Sequence, residues 1–241
     1  MPELTPEFLA LGLLWYLVFF FSTTCHEAAH ALVAWRLGDP TAYQAGQVSL
    51  NPLPHVRREP FGMILMPMLS YLFSGWMLGW ASAPYDPGWA YRYPKKSALM
   101  ALAGPSANFI LALAAAFGIR LGLGTGFFRL PGGAVAYHQI VEGAEPGLAT
   151  GLAAALSIAF TLNLVLGAFN LIPFPPLDGS GVVQLVMGES LARRYQAFLA
   201  EQRFLAFVGL LAAWRFGGQL LGQLWVIGVN ILYLGHGSLG A

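Results

Sequence analysis

"STTCHEAAHALVAW", residues 22–35, carries two histidines and a glutamate at the end of an apolar run, Phe8 to Phe21, that is long enough to lie in lipid. His26 and His30 are four residues apart, so on a helix their imidazoles share one face, one turn apart. Placed that way they can hold one divalent ion, and Glu27, beside the first of them, can act as general base toward an attacking water. A lone histidine on an apolar helix is ordinarily a core residue bonded to a carbonyl. Three ionisable groups so close together are a different case. At bilayer depth each costs about 2.5–3.5 kcal/mol on insertion scales, and a bound dication offsets that cost for all three.

The composition supports a membrane setting. Of 241 residues, 57% are hydrophobic and only 10% charged, against about a quarter charged in soluble domains. So few charges cannot cover a water-facing surface, and the chain reads as an integral membrane protein. A net charge of +1 leaves no basic stripe, so nucleic acid is not an expected partner. The one cysteine, Cys25, excludes an intrachain disulfide framework and a four-cysteine zinc site; beside His26 it reads as a small buried filler. The N-terminus has Glu3 and Glu7 and no Lys or Arg, which is unlike a signal peptide, so the first apolar run is read as a transmembrane helix.

That helix is expected from about Phe8 through Leu37, stopped by Gly38-Asp39-Pro40. Residues 41–60 have short alternating stretches with Pro52, Pro54 and Pro60 and read as β-strands or an irregular loop. Residues 61–81 are apolar but interrupted at Pro67 and Ser74-Gly75. Further spans are expected over 97–119 and 150–172, joined by a Gly-rich polar loop; Pro173, Pro175 and Pro176 break the second of them. A short helix over 179–187 and a polar stretch over 190–203 follow. Residues 204–234 are apolar with a break at Arg215–Gly218, which fits one span plus a short helix, or a tight hairpin. The expected fold is an all-α polytopic membrane protein of about four to six transmembrane helices, with a small re-entrant or β-loop element between the first two. It is read as one domain over 1–241, with a core over 8–190, C-terminal helices over 191–241 and no appended soluble domain.

A zinc site needs a third protein ligand and an open position. The other histidines are His55, His138 and His236, and the aspartates are Asp39, Asp86 and Asp178. Asp178 stands out because it follows the broken third strong span, and irregular backbone at membrane depth is tolerated only where it is packed in protein or lines a watery cavity. The competing role for Asp178 is to cap the helix that follows.

"HEAAH" in a first transmembrane helix, "AGPSAN" (103–108) in a later one and "NLIPFPPLDGSG" (170–181) after another resemble, in this order, the site-2 protease family of intramembrane zinc metalloproteases. The resemblance covers residues 8 to about 190. It implies one Zn2+ per chain held by His26, His30 and Asp178, with Glu27 as the catalytic glutamate. It also implies that Asn108 and Asn170 belong to the site lining and substrate-handling region, though on local grounds each fits helix–helix hydrogen bonding equally well. "NPLPH" (51–55) resembles a loop of the short family members that lies near the active site, so His55 is a candidate for touching substrate or metal. The chain departs from the pattern in lacking the PDZ or CBS domain of many relatives. It also has Arg57-Arg58 and Ser82 where short relatives often have an acidic residue and a lysine.

For Asp178 to meet the histidines, the first and third strong spans must run parallel, which requires an odd number of crossings between them. One of the two apolar segments between them, 61–81 and 97–119, therefore does not cross, and the interrupted 61–81 is the candidate for a re-entrant element. Arg36, Arg57, Arg58, Arg92, Lys95 and Lys96 then fall on one side and Arg120 and Arg129 on the other. That balance puts the zinc site nearer the cytoplasm of a multi-pass protein, expected in a prokaryotic cell membrane. The expected function is an endopeptidase acting on transmembrane segments of other proteins, with residues 41–60 offering an edge strand to the unwound substrate. The rivals are a catalytically silent protein that captures membrane segments and a divalent-metal transporter. The oligomeric state is left open.

Overall fold

A computed structural model describes residues 3–202 and 204–235, with only the backbone at 214 and 216. His236 lies outside the described residues. The first long helix, α1 (Pro6–Arg36), begins where the Thr5 hydroxyl accepts the Phe8 N–H (3.2 Å) and Pro6 pre-sets the first turn. It ends at Gly38, whose positive φ of 108° turns the chain out of the helix. Two other long helices are α6 (Pro94–Gly124) and α7 (Leu148–Asn170). At 31, 31 and 23 residues the three reach about 46, 46 and 34 Å, each enough to cross an apolar layer of about 30 Å. The C-terminal helix α10 (Phe204–Tyr233) is bent by 46° between Ala213 and Gly217, at the break expected from sequence. The described residues hold three helices able to span, or four if the bent α10 is counted as one span. This is a multi-pass all-α membrane protein, and only with α10 counted does it reach the lower end of the expected four to six spans.

The middle helix, α6, packs along both α1 and α7. Small residues make this close approach possible, among them Ala28 and Ala31 of α1, Ala101, Gly104 and Ala112 of α6, and Ala153 of α7. Toward the far end a core of Ile119, Phe128, Ile140, Val141, Phe160, Trp225 and Val229 closes over the loop between α6 and α7. That loop holds the β-pairing of the described residues. Strands β1 (Phe128–Arg129) and β2 (Glu142–Gly143) are antiparallel, with Arg129 opposite Glu142 and paired to it at 3.3 Å.

Residues 41–60 form no β-strand. The irregular alternative holds for 45–52, and the flanking residues fold into two short helices, α2 (Thr41–Gln44) and α3 (Leu53–Arg58). The prolines that suggested loop or strand are used as helix starters: Pro54 lies in the first turn of α3, and the Asn51 side chain accepts the Leu53 N–H (3.0 Å).

Residues 61–81 enter the bundle and turn back. A π-helical turn (Phe61–Leu65) leads into α4 (Met66–Ser74), in all about 21 Å of helix and too short to cross. The Tyr16 hydroxyl donates to Met63 O at the start of the segment, whereas the Tyr71 hydroxyl donates to Phe8 O near its end, so the segment climbs antiparallel to α1. At Gly75 (φ +69°) the chain reverses. Trp80 N–H then donates to Gly62 O (3.1 Å), bringing the outgoing chain back to the level of entry. Beyond it, Ser82 bonds to Gln47, Arg58 and Glu59, and Asp86 N–H donates to Asp39 (2.8 Å). Both ends of the segment therefore lie beside residues 39–59. Cysteines substituted singly at Arg57 and Tyr85 are expected to label with a membrane-impermeant maleimide from the same side of the membrane, and labelling from opposite sides would refute the reversal.

Candidate metal centre

Three ligand atoms meet between α1, α6 and the chain that follows α7. His26 Nε2 and His30 Nε2 are 3.0 Å apart, and Asp178 Oδ2 lies 3.1 Å from the first and 3.3 Å from the second. Among the described residues they form a His/His/Asp group able to hold a metal ion. The fit can be tested against geometry. With zinc–nitrogen distances of about 2.0–2.1 Å, tetrahedral ligand atoms are about 3.3 Å apart, close to the triangle observed.

The chemistry of the donor set points the same way. His26 Nδ1 faces Asn108 Oδ1 at 2.6 Å and His30 Nδ1 faces the Met100 carbonyl at 2.7 Å. Both partners are acceptors, so both Nδ1 atoms carry the proton and donate it. That leaves each Nε2 with a lone pair, and both lone pairs and a carboxylate oxygen are aimed at one point. Such a convergence of acceptors inside an apolar bundle needs a cation to balance it.

The supports come from one face of α6, where Met100, Gly104 and Asn108 follow at one-turn intervals. Gly104 lies against the imidazoles, and a β-carbon there would overlap Nε2 of both rings. Asn108 is fully buried and spends its amide on Asn163 Oδ1 (2.9 Å). Asn163 in turn donates to Ser22 Oγ and Ala159 O, each at 2.9 Å, so the ring of His26 is anchored to α7 and back to α1.

Asp178 lies where the break in α7 predicts. Glycine at 179 is required, since a β-carbon there would overlap the carbonyl oxygens of Leu171 and Ile172. The Asp178 side chain makes no cap bond to the short helix α8 (Gly179–Val182), although its own carbonyl accepts from Gly181 and Val182. The carboxylate is turned to the imidazoles instead. The His26 and His30 side chains are 9% and 8% exposed and Glu27 is buried, whereas the Asp178 side chain is 23% exposed beside exposed Pro173, Phe174 and Pro176, so the site is open on the loop side.

The Glu27 side chain makes no hydrogen bond among the described residues, which leaves its carboxylate uncommitted. Asn108 is at the centre, acting on His26. Asn170, at the end of α7, donates to Leu166 O (3.1 Å) within its own helix. His55 is buried in α3 with Nε2 on Ser49 O (3.1 Å) and is not one of the metal-holding group. The roles of Gly104, Met100, Ser22 and Asn163 were not identified in the sequence. A glycine and an asparagine four apart in an apolar helix, and polar Ser22 four residues before His26, were the available signals.

Comparison with known proteins agrees. The family model for peptidase family M50 matches residues 14–213. The protein YwhC of Bacillus subtilis (strain 168) is 38% identical over 177 residues, which is 72% of this chain and 70% of that protein. The protein Rip2 of Mycolicibacterium smegmatis is 30% identical over 163 residues, 68% of this chain and 53% of that protein. Rip2 of Mycobacterium tuberculosis (strain H37Rv) is 30% identical over 190 residues, 79% of this chain and 62% of that protein. The names of all three class them as zinc metalloproteases. No solved structure matches.

Gly104→Val is expected to abolish metal uptake while the protein still inserts as a multi-pass chain. Asn108→Leu is expected to weaken metal affinity by about 10- to 100-fold, the usual cost of removing a partner that orients a ligand. Both are read by metal analysis of protein purified in detergent.

Proposed function

The chain belongs to peptidase family M50, the site-2 proteases, and we infer that it is an intramembrane endopeptidase whose metal is zinc, held by His26, His30 and Asp178, with Glu27 as general base. The observation that carries this reading is the triangle of ligand atoms with edges of 3.0, 3.1 and 3.3 Å, set between helices of membrane-spanning length. When bound there, zinc supplies Lewis acidity to a peptide carbonyl and acidifies water toward neutral pH. The chain's own groups do the rest. Asn108 and Met100 O hold the two rings so that Nε2 faces inward. The Glu27 carboxylate takes the proton of the attacking water and delivers it to the leaving amine. The surrounding apolar helices limit water to what enters on the Asp178 side.

The substrate is a transmembrane segment of another protein, bounded by the lipid bilayer. Its helix must unwind, because helical carbonyls are engaged in i to i−4 bonds. With no strand in 41–60, the extended segment after Gly75 takes the place of the expected edge. The N–H groups of Ala81, Ser82 and Ala83 make no hydrogen bond among the described residues, and the three residues are half-buried. They are available to an unwound peptide. The family resemblance assigns Asn170 and His55 to substrate handling; Asn170 ends α7 just before the loop that carries Asp178, whereas His55 is buried against Ser49 and would act only indirectly, by supporting the loop around it. The whole chain, 1–241, acts as one catalytic unit with its core over 8–190. Arg36, Arg57, Arg58, Arg92, Lys95 and Lys96 on the Asp39 side, against Arg120 and Arg129 at the β1–β2 end, support a cytoplasm-facing site in a prokaryotic inner membrane.

The rival readings have less support. A silent binding protein has no need of the uncommitted Glu27. A metal transporter needs a polar path, yet Ser106 of α6 bonds back to Leu102 O (2.8 Å) and Asn108 is spent on His26 and Asn163.

Glu27→Gln is expected to keep wild-type zinc content and lose about a hundred- to ten-thousandfold in cleavage rate of a transmembrane substrate. Retained cleavage would remove Glu27 from the mechanism. Ala81→Pro or Ala83→Pro is expected to cut turnover several-fold at unchanged zinc content, in line with about 1 kcal/mol for a lost backbone hydrogen bond. Equal loss of zinc and turnover would show that the segment supports the metal site rather than the substrate.

A further inference from the structure

Two lysines open α6, and each holds one of the segments that carry the ligands. Lys96 Nζ donates to Leu37 O (3.1 Å), at the end of α1. Lys95 Nζ donates to Gln184 O (3.1 Å), Leu185 O (2.6 Å) and Met187 O (2.6 Å), which uses every donor of the ammonium group. These carbonyls end the stretch that begins at Asp178: the four residues of α8 followed by the 3-10 turn Val183–Leu185. Carbonyls at a helix end lack partners in the helix and carry partial negative charge, and a lysine satisfies both needs.

The two clamps are not equivalent. α1 is a continuous helix of 31 residues, and its own periodicity sets the spacing of His26 and His30. The stretch after Asp178 is far too short to be stable alone, and it follows a proline-rich loop that fixes only its near end. Its far end is fixed by Lys95 and by the buried Gln184, whose side chain accepts from Gln196 of α9 (Glu189–Glu201) at 2.7 Å. Lys95 also belongs to the same helix as Met100, Gly104 and Asn108, which set the imidazoles.

We propose that Lys95 is a positioning residue of the metal centre. By tying the far end of the Asp178 stretch to the start of α6, it sets the carboxylate at the reach that the two imidazoles require. This rests on reading the triad as a metal site.

The test uses the full chain purified in detergent and loaded with zinc or cobalt, and reads zinc release to a chelator, the Co2+ absorption spectrum and thermal unfolding. Lys95→Met is expected to release zinc about 10- to 100-fold faster, with an altered Co2+ spectrum. Lys95→Arg is expected to restore most of the loss. Lys96→Met is expected to unfold at a lower temperature but release zinc at the wild-type rate. If Lys95→Met does not fold, Lys95→Gln carries the same comparison. Release from the Lys95 variant at the wild-type rate, or equal acceleration by Lys96→Met, overturns the proposal. A wild-type chain that takes up neither metal overturns the metal reading itself, and the proposal with it.

Discussion

Three electron pairs are aimed at one point inside a bundle of apolar helices, and the surrounding architecture serves to hold them there. Without a cation, the two Nε2 atoms at 3.0 Å would face each other as acceptors, with a carboxylate added to the same space. Each ring is fixed through its Nδ1 proton, so neither can turn away without giving up a buried hydrogen bond. The site is thus prepared for a dication, and the cost of gathering these groups is distributed over α1, α6, α7 and the loop that breaks after α7.

The route of the chain follows from the same demand. Asp178 reaches the histidines only if α1 and α7 point the same way, with α6 returning between them. The reversal of residues 61–80 makes this possible, since it adds apolar contacts without adding a crossing. Phe8 stacks on Tyr71 at 4.6 Å and Trp15 meets Trp76 at 4.8 Å, so the re-entrant segment covers the flank of α1 above the histidines.

How much of this could be read from sequence depended on distance along the chain. The His26–Glu27–His30 face, the interruption of 61–81, the break before Asp178 and the bend near Arg215 are local signals, carried by helical periodicity or by Pro and Gly. Residues 41–60 misled because Pro52 and Pro54 read equally well as loop residues and as helix starters; the Asn51 side chain that tips the balance acts only once the turn forms. For Gly104 the local sequence offered only its four-residue spacing from Asn108, and for Lys95 it offered nothing. A glycine and a lysine in α6 acquire meaning only when helices distant in sequence are laid against them.

The placement of Met100, Gly104 and Asn108 at successive turns of one helix has a consequence for how this stretch can vary. A single inserted or deleted residue within 100–108 would rotate part of the face by about 100° and detach at least one support from its imidazole. Side chains along the opposite, lipid-facing side, such as Leu99 and Ile110, are free to drift among apolar types. Over evolutionary time this stretch should therefore tolerate changes of letter but not changes of length.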